Sequence, residues 1–195
     1  MKDQNFEQLH IVVCALDRLV DNAISNLAAL DAYEQIFSVG SIPSTQLEFL
    51  SQSSFALRDC ITIAVAAIFE EDETCRNKNC SLGEMQCLLK EDNKFNLSLE
   101  NRSAILERID ALMQKYTGSG IEKLRNKSKA HYDLVEFFVK KRNEASVKTL
   151  KTLLLGTRSI MVDFFDKWIG VSIAWEDYDN RVSRFKQSIL SCING

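Results

Sequence analysis

An apolar stripe along residues 6–37 constrains the fold of this chain most strongly. Its side chains recur at steps of three and four residues, which places them on one face of an α-helix. The chain has one proline and seven glycines in 195 residues, a composition that favours long helices over many short strands. The sequence therefore predicts an all-α bundle of long antiparallel helices that bury this stripe. The stripe consists of Leu9, Val12, Val13, Leu16, Leu19, Val20, Ala23, Ile24 and Leu27.

Turn and capping signals divide the rest of the chain into further helices. Gly40 and Pro43 end the first helix, and Ser81 followed by Glu84 has the spacing of a capping box. Residues 61–69 are apolar on nearly every side, which predicts that the second helix is the central one. We expect one domain over residues 1–195, in which residues 168–195 form an additional C-terminal helical extension. The helices predicted after the first are 44–70, 81–89, 98 or 101 to 116, 121–130, 144–168 and 172–193.

The sequence contains neither a visible membrane span nor a secretion signal. The longest apolar run without a hydroxyl, residues 63–69, is far shorter than the ~20 residues that cross a bilayer. The first seven residues include acidic and amide side chains where a signal peptide has basic and apolar regions. We therefore expect a cytoplasmic protein with no membrane partner.

The six cysteines are expected to be reduced in that compartment. Three of them lie among apolar residues in helical patterns, which predicts buried thiols. The other three are separated by five and seven residues, and these spacings match no common zinc pattern. The sequence thus predicts no metal site and no cofactor. The first group is Cys14, Cys60 and Cys192, and the second is Cys75, Cys80 and Cys87.

The most specific chemistry lies in one short segment, residues 124–132. His131 is one of only two histidines, and it follows Arg125 and Asn126 in the chain. An imidazole titrates near neutral pH, a guanidinium binds phosphate with a forked donor, and an amide can orient either group. On a straight helix Arg125 and His131 would lie roughly 9 Å apart along the axis and about 120° apart around it. They can converge if the helix ends near Ala130, or if two copies of the segment meet at a two-fold axis.

These groups are sufficient for metal-free cleavage of RNA. A base removes the proton of the ribose 2′-OH, that oxygen attacks the adjacent phosphorus, and a cation stabilises the developing charge. DNA lacks the attacking hydroxyl, so the reaction is confined to RNA. The structural alternative is a capping histidine and a solvated cation at the end of a helix.

Residues 125–131 fit the motif R-N-x-x-x-x-H, which lies late in the chain. In both respects the chain resembles the HEPN superfamily (higher eukaryote and prokaryote nucleotide-binding). The resemblance implies a HEPN-like helical bundle. It also implies a dimeric, metal-independent ribonuclease of a toxin–antitoxin or phage-defence system, with Arg125, Asn126 and His131 as catalytic residues. The order of a long first helix, residues 57–59, residues 81–82 and the motif is most similar to the abortive-infection U type.

The resemblance further suggests an acidic site residue and a protein partner. Some HEPN nucleases place an acidic residue on an early helix, and Asp59 would in this way orient Arg125 or His131. The alternative is a solvated helix face, or an ion pair that involves Arg58. Some HEPN toxins carry a tyrosine two positions after the histidine, which a nucleotidyltransferase antitoxin modifies. Asp133 holds that position here, which argues against this form of control, although an antitoxin of this type is retained as a candidate partner.

Positive charge is concentrated around the same segment. Residues 1–114 hold 9 Lys/Arg and 18 Asp/Glu, residues 115–151 hold 10 and 4, and residues 152–195 hold 5 and 5. A solvated face is the structural alternative. The location beside the motif predicts a surface that attracts an RNA backbone. The candidate nucleic-acid-binding residues are Lys123, Lys127, Lys129, Tyr132, Lys140, Lys141 and Arg142.

The sequence thus predicts a homodimeric, metal-independent endoribonuclease that leaves a 2′,3′-cyclic phosphate, acting as a toxin or a phage-defence effector. The alternative is a catalytically inactive helical HEPN module that binds a partner protein, a nucleotide or a nucleic acid through the same groove. The sequence contains no glycine-rich phosphate loop, no H-E-x-x-H and no G-x-S-x-G. Other enzyme classes are therefore not expected.

Overall fold

The computed structural model describes residues 4–38, 42, 44–70, 80–91, 97–123 and 146–194. Within these ranges the regular elements are helices and there is no strand, which confirms the predicted all-α bundle. No helix in the described ranges combines the length and the apolar composition that crossing a membrane requires. The helices are α1 (Gln4–Ser38), α2 (Ser44–Ile68), α3 (Leu82–Glu91), α4 (Leu99–Ser119), α5 (Val147–Ile169) and α6 (Tyr178–Asn194).

The core is built around α1, which packs against α2, α3, α5 and α6. The predicted stripe is buried, and Leu9, Leu16 and Ile24 have no exposed surface. Full burial of one such side chain contributes about 1.5–3 kcal/mol to stability. The prediction that the second helix is central was therefore wrong. Among the described helices α2 packs mainly on α1 and α5, which leaves Ile63 45% exposed.

Side-chain contacts fix the direction of α5 relative to α1. The ring of His10, near the start of α1, lies 6.3 Å from the ring of Trp168, near the end of α5. Lys151 Nζ, near the start of α5, lies 3.9 Å from Asp31 Oδ2 in the second half of α1. The two helices are therefore antiparallel, as predicted, and the start of α5 lies beside the end of α1.

Serine side chains cap the starts of three helices, α3, α4 and α5. Ser81 Oγ accepts a hydrogen bond from the N–H of Glu84 at 3.1 Å, and Ser98 and Ser146 make the equivalent bonds at 3.2 and 3.1 Å. Each bond satisfies a backbone donor that the first turn of a helix leaves free. The Glu84 carboxylate accepts from Gln8 Nε2 at 2.7 Å. The serine half of the predicted capping box is thus confirmed, and its glutamate attaches α3 to α1.

The final helix starts at Tyr178, later than the predicted residue 172. Asp177 is its N-cap, since its Oδ1 accepts from the N–H of Asp179 at 2.9 Å. The preceding helix ends at Gly170 as predicted, where a φ of 66° requires the left-handed conformation that glycine adopts most easily. Residues 171–177 consequently form a non-helical connection.

The prediction of buried thiols was largely wrong. Cys60 and Cys192 are exposed, and Cys14 is half-buried with its Sγ 3.8 Å from His10 Nε2. Cys60 lies on the side of α2 that faces away from α1, and Cys192 lies close to the end of α6. Apolar sequence neighbours did not predict burial here because each helix has one side that no other described helix covers.

Candidate nucleic-acid interface

The structure describes two of the predicted site residues. Asp59 lies on α2 and is half-buried, and Lys123 follows α4 and is exposed. The motif and the other binding candidates lie outside the described residues, so their roles stay predictions. These are Arg125, Asn126, Lys127, Lys129, His131, Tyr132, Lys140, Lys141 and Arg142.

The two described chain ends that flank residues 124–145 lie at one end of the bundle. On α4, Arg108 forms an ion pair with Asp163 of α5, and its Nη2 donates to Ser159 Oγ at 2.9 Å. One turn further along α4, the side chain of Leu112 packs directly over Gly156. The α4 residue that is closer to the end of its helix thus contacts the α5 residue that is closer to the start of its helix. The end of α4 therefore lies beside the start of α5.

The turn after α4 is held by a buried side chain. Gly120 has a φ of 74° and ends the helix in the left-handed conformation. Ile121 is completely buried, and its N–H donates to Ser119 Oγ at 3.2 Å. Since Ile121 is anchored in the core, the position of the exposed Lys123, the last described residue before the motif segment, is fixed relative to the bundle.

Asp59 lies at the same end of the bundle as these chain ends. Its neighbour Arg58 places Nη2 2.7 Å from Glu34 Oε1 on α1. Lys151, near the start of α5, lies 3.9 Å from Asp31 on the preceding turn of α1. The two ion pairs involve adjacent turns of α1. Asp59 and the first turns of α5 therefore lie at the same height along the axis of α1. The hypothesis that Asp59 orients Arg125 or His131 requires an acidic residue at this end of the bundle.

This end of the bundle exposes several lysines. Lys115 and Lys123 lie on or just after α4, and Lys148 lies on α5; all three are exposed, as is Glu122. The carboxylates of Asp31 and Glu34 are each paired with a cation, which reduces their repulsion of phosphate. At this end the described residues therefore expose more positive than negative charge, a balance that favours the approach of an RNA backbone.

A second polar site lies between α1, residues 171–177 and α6, and the sequence analysis did not find it. It lines a cavity of about 460 Å³ that is open to solvent. Arg181 is 6% exposed, and its guanidinium contacts Asp21 Oδ1 at 2.6 Å, Ser25 Oγ at 2.6 Å and Glu176 Oε2 at 3.3 Å. The contacts with Asp21 and Ser25 attach α6 to α1 across 160 and 156 positions of sequence, so no local pattern could have indicated them.

Besides Arg181 Nε, which meets Glu176 only as an ion pair, two polar atoms of this cavity are buried and have no hydrogen-bond partner among the described residues. They are Asp17 Oδ1 and Trp175 Nε1, a carboxyl oxygen and an N–H donor. Arg158 stacks over the Trp175 ring at 4.8 Å and fixes the indole. Burial raises the pKa of Asp17 above its ordinary value, the charge of Asp21 raises it further, and Arg18 lowers it. The cavity thus offers both a donor and an acceptor to a small polar ligand.

The raised pKa of Asp17 predicts a pH-dependent effect of Asp17→Asn. The folded state binds the Asp17 proton more tightly than the unfolded state, so this carboxyl destabilises the protein once pH rises through its folded pKa. Asp17→Asn is expected to raise the thermal midpoint at pH 7, with the difference from wild type vanishing below about pH 4, where the unfolded carboxyl is also protonated. Glu107→Gln, which neutralises an exposed carboxyl on α4, is the control. An equal gain from both substitutions would contradict the argument.

The chain matches part of a protein from Caenorhabditis elegans. The two are 31% identical over 110 residues, which cover 51% of this chain and 28% of that protein, an uncharacterized protein. This chain therefore corresponds to well under two thirds of the relative's length. No family model and no solved structure matches the chain. The comparisons thus provide neither a family nor an activity.

Proposed function

We propose that this protein is a metal-independent endoribonuclease of the HEPN type that acts as a homodimer. The observation that carries the proposal is the motif R-N-x-x-x-x-H at residues 125–131 in an all-helical chain. Two features of the described bundle support it. The chain ends that flank the motif segment lie at the same end as Asp59, and three lysines are exposed there beside one exposed glutamate.

In the proposed reaction His131 removes the proton of a ribose 2′-OH, and the 2′-oxygen attacks the adjacent phosphorus. The bond from phosphorus to the 5′-oxygen breaks, and protonated imidazole returns a proton to that leaving oxygen. The products carry a 2′,3′-cyclic phosphate and a 5′-hydroxyl. Arg125 stabilises the charge on the phosphoryl oxygens, Asn126 orients the reacting groups, and Asp59 acts as a positioning residue for Arg125 or His131.

The basic residues of the segment hold the RNA in this proposal. Lysine and arginine side chains neutralise backbone phosphates, and an aromatic ring can stack on an unpaired base. Lys123 is the described member of this group and is exposed beside the turn at Gly120. The cellular role as a toxin or phage-defence effector, and control by a nucleotidyltransferase-type antitoxin, rest on the resemblance alone.

The second candidate is a catalytically inactive helical module that binds a partner protein, a nucleotide or a nucleic acid. The observation that favours it is the 460 Å³ cavity beside α1, where Asp17 and Trp175 each bury a polar atom that has no partner among the described residues. A built polar cavity fits a binding module at least as well as a nuclease. RNA cleavage separates the two candidates.

The test is incubation of the purified protein with mixed cellular RNA in excess EDTA. The nuclease proposal predicts cleavage that continues in EDTA, with fragments that end in 2′,3′-cyclic phosphate, because no metal takes part in the 2′-OH attack. Phosphatase cannot remove a cyclic phosphate, so the fragment ends should resist it at first. After acid has opened the ring to a monoester, phosphatase should remove the phosphate. Intact RNA after incubation with a folded, dimeric protein would favour the binding module.

A further inference from the structure

The cavity between α1, residues 171–177 and α6 contains a carboxylate that is not paired with a cation. Asp17 forms no hydrogen bond or ion pair with any described residue; its Oδ1 is buried, whereas its Oδ2 is reachable from solvent. The other carboxylates of the lining are paired, Asp21 with Arg181, and Glu176 with Arg181 and Arg184. A partly buried carboxylate without a partner is the group that a cation stabilises most.

Two apolar side chains lie beside this carboxylate in the lining. They are Ile173 and Trp175, which belong to the connection between α5 and α6. Arg158 lies 4.8 Å from the centre of the indole but is not part of the lining, so it covers a side of the ring that faces away from the cavity. The cavity side of the ring is therefore open to a ligand. An aromatic ring next to a carboxylate is an arrangement that recognises ammonium groups.

The lining is less suited to an anion or a metal ion. The guanidinium of Arg181 already contacts Asp21, Ser25 and Glu176, so it offers little to a phosphate or a carboxylate. Arg18 is exposed at the rim, where solvent screens its charge. The described ranges contain no group of three or more His, Cys, Asp or Glu side chains that could hold a metal ion. An organic cation is the ligand class that remains.

We propose that this cavity binds a small organic cation, with the ammonium group on Asp17 and the apolar body against Trp175 and Ile173. The volume of about 460 Å³ lies within the range of small-molecule sites, about 300–1,000 Å³. Burial makes ionisation of Asp17 unfavourable and raises its pKa, and a bound ammonium group offsets this cost. The proposal gives the unpaired carboxylate a partner without breaking any of the ion pairs of Arg181.

The cavity is separate from the end of the bundle that the motif segment adjoins. Asp17 precedes Asp31 by 14 residues on α1, a distance of about 21 Å along the helix axis. Asp31 lies beside Lys151 and the start of α5. Binding of a cation at Asp17 therefore does not depend on the nuclease proposal, and experiments without RNA test it independently.

Isothermal titration calorimetry with two ligands of the same shape tests the role of charge. Isoamylamine, which is protonated at pH 7, is expected to bind the wild type with a dissociation constant of about 1 mM or lower. Isoamyl alcohol, which has the same carbon skeleton and no charge, should bind at least tenfold more weakly, because it cannot pair with Asp17. Equal affinities for the two ligands, or no binding of the amine at about ten times the expected constant, would overturn the proposal. This comparison uses only the wild type.

Asp17→Asn tests which carboxylate holds the amine. The substitution keeps the shape of the side chain and removes its charge, so the affinity for isoamylamine should fall at least tenfold. Glu107→Gln, on the exposed side of α4, is the matched control and should bind as the wild type does. A thermal melt without ligand shows that Asp17→Asn is folded. Equal affinities of the folded Asp17→Asn variant and the wild type would exclude Asp17 as the binding group.

Tryptophan fluorescence locates the ligand. The chain has two tryptophans, Trp168 and Trp175, and Trp168 is not part of the cavity lining. Isoamylamine should change the emission of the wild type with the same midpoint as the calorimetric titration, and the change should vanish in Trp175→Phe. A change that persists in this variant would place the ligand outside the cavity and contradict the proposal.

Discussion

Replacing His131 with alanine is expected to lower the rate of RNA cleavage by about 10²–10⁴-fold, the usual contribution of a general acid or base. In the proposed reaction no other side chain of the motif titrates near neutral pH, so the loss should not be recovered by raising the pH. Arg125→Ala should cause a loss of similar size, because the charge on the phosphoryl oxygens would lack its cation. Initial rates are measured in EDTA at a protein concentration above the dimer dissociation constant.

The chain supplies a matched control for this substitution. His10 is the other histidine of the two, and it lies exposed on α1 beside Cys14 and Trp168. His10→Ala should cleave RNA at the wild-type rate. Similar rates for the two histidine variants would remove His131 from the mechanism. A circular dichroism melt of each variant separates a loss of chemistry from a loss of fold.

Replacing Phe69 with alanine is expected to destabilise the protein by about 3–5 kcal/mol, the usual cost of removing a buried phenylalanine. Phe69 directly follows α2 and is completely buried. Its ring stacks on Tyr116 of α4, with 5.0 Å between ring centroids and 16° between planes. The substitution leaves a cavity between α2 and the last turns of α4, which lead to the motif segment. The midpoint of urea unfolding should fall with little change in slope.

Phe49 is the control for this measurement, since it is the same residue type on the outer side of α2 and is 67% exposed. Phe49→Ala should change the free energy of unfolding by no more than about 0.5 kcal/mol when the protein is dilute enough to be monomeric. If Phe69→Ala cost as little as Phe49→Ala, the described packing of Phe69 against Tyr116 would not exist in solution.

Most helix positions could be predicted because their signals are local. The stripe of residues 6–37 became α1, Gln4–Ser38, since its period matches the 3.6 residues of a helical turn. Ser81, Ser98 and Gly170 marked helix ends because each satisfies backbone groups, or a left-handed φ, within its own turn. No distant residue is needed for these interactions.

The start of α6 was mispredicted because two local signals compete there. Ser172 and Asp177 can both cap a helix, and the intervening residues have no glycine or proline. Tertiary contacts favour the later start. Arg158 of α5 stacks on Trp175, and its Nη2 donates to the Glu176 carbonyl at 3.0 Å, which an additional turn of α6 would disrupt.

The candidate site was predicted from residue chemistry rather than from geometry. Histidine, arginine and asparagine are side chains that phosphate chemistry uses, and their presence in one short segment favoured that hypothesis without any knowledge of their arrangement. Sequence spacing alone could not indicate that Asp59 lies at the same end of the bundle as Lys123 and Ser146. That relation depends on ion pairs such as Arg58 with Glu34, which form only when α2 packs on α1.

By itself the sequence determined most of the helices and their caps, and it supplied the hypothesis of a phosphate-binding segment, because hydrogen bonds within a helix and the chemistry of a side chain are local properties. Only the tertiary structure decided which helix is central, that Cys60 and Ile63 are exposed, and that Arg181 meets Asp21 in a polar cavity. Burial depends on which neighbour covers a face, and an apolar residue on α2 has the same sequence pattern whether or not another helix covers it.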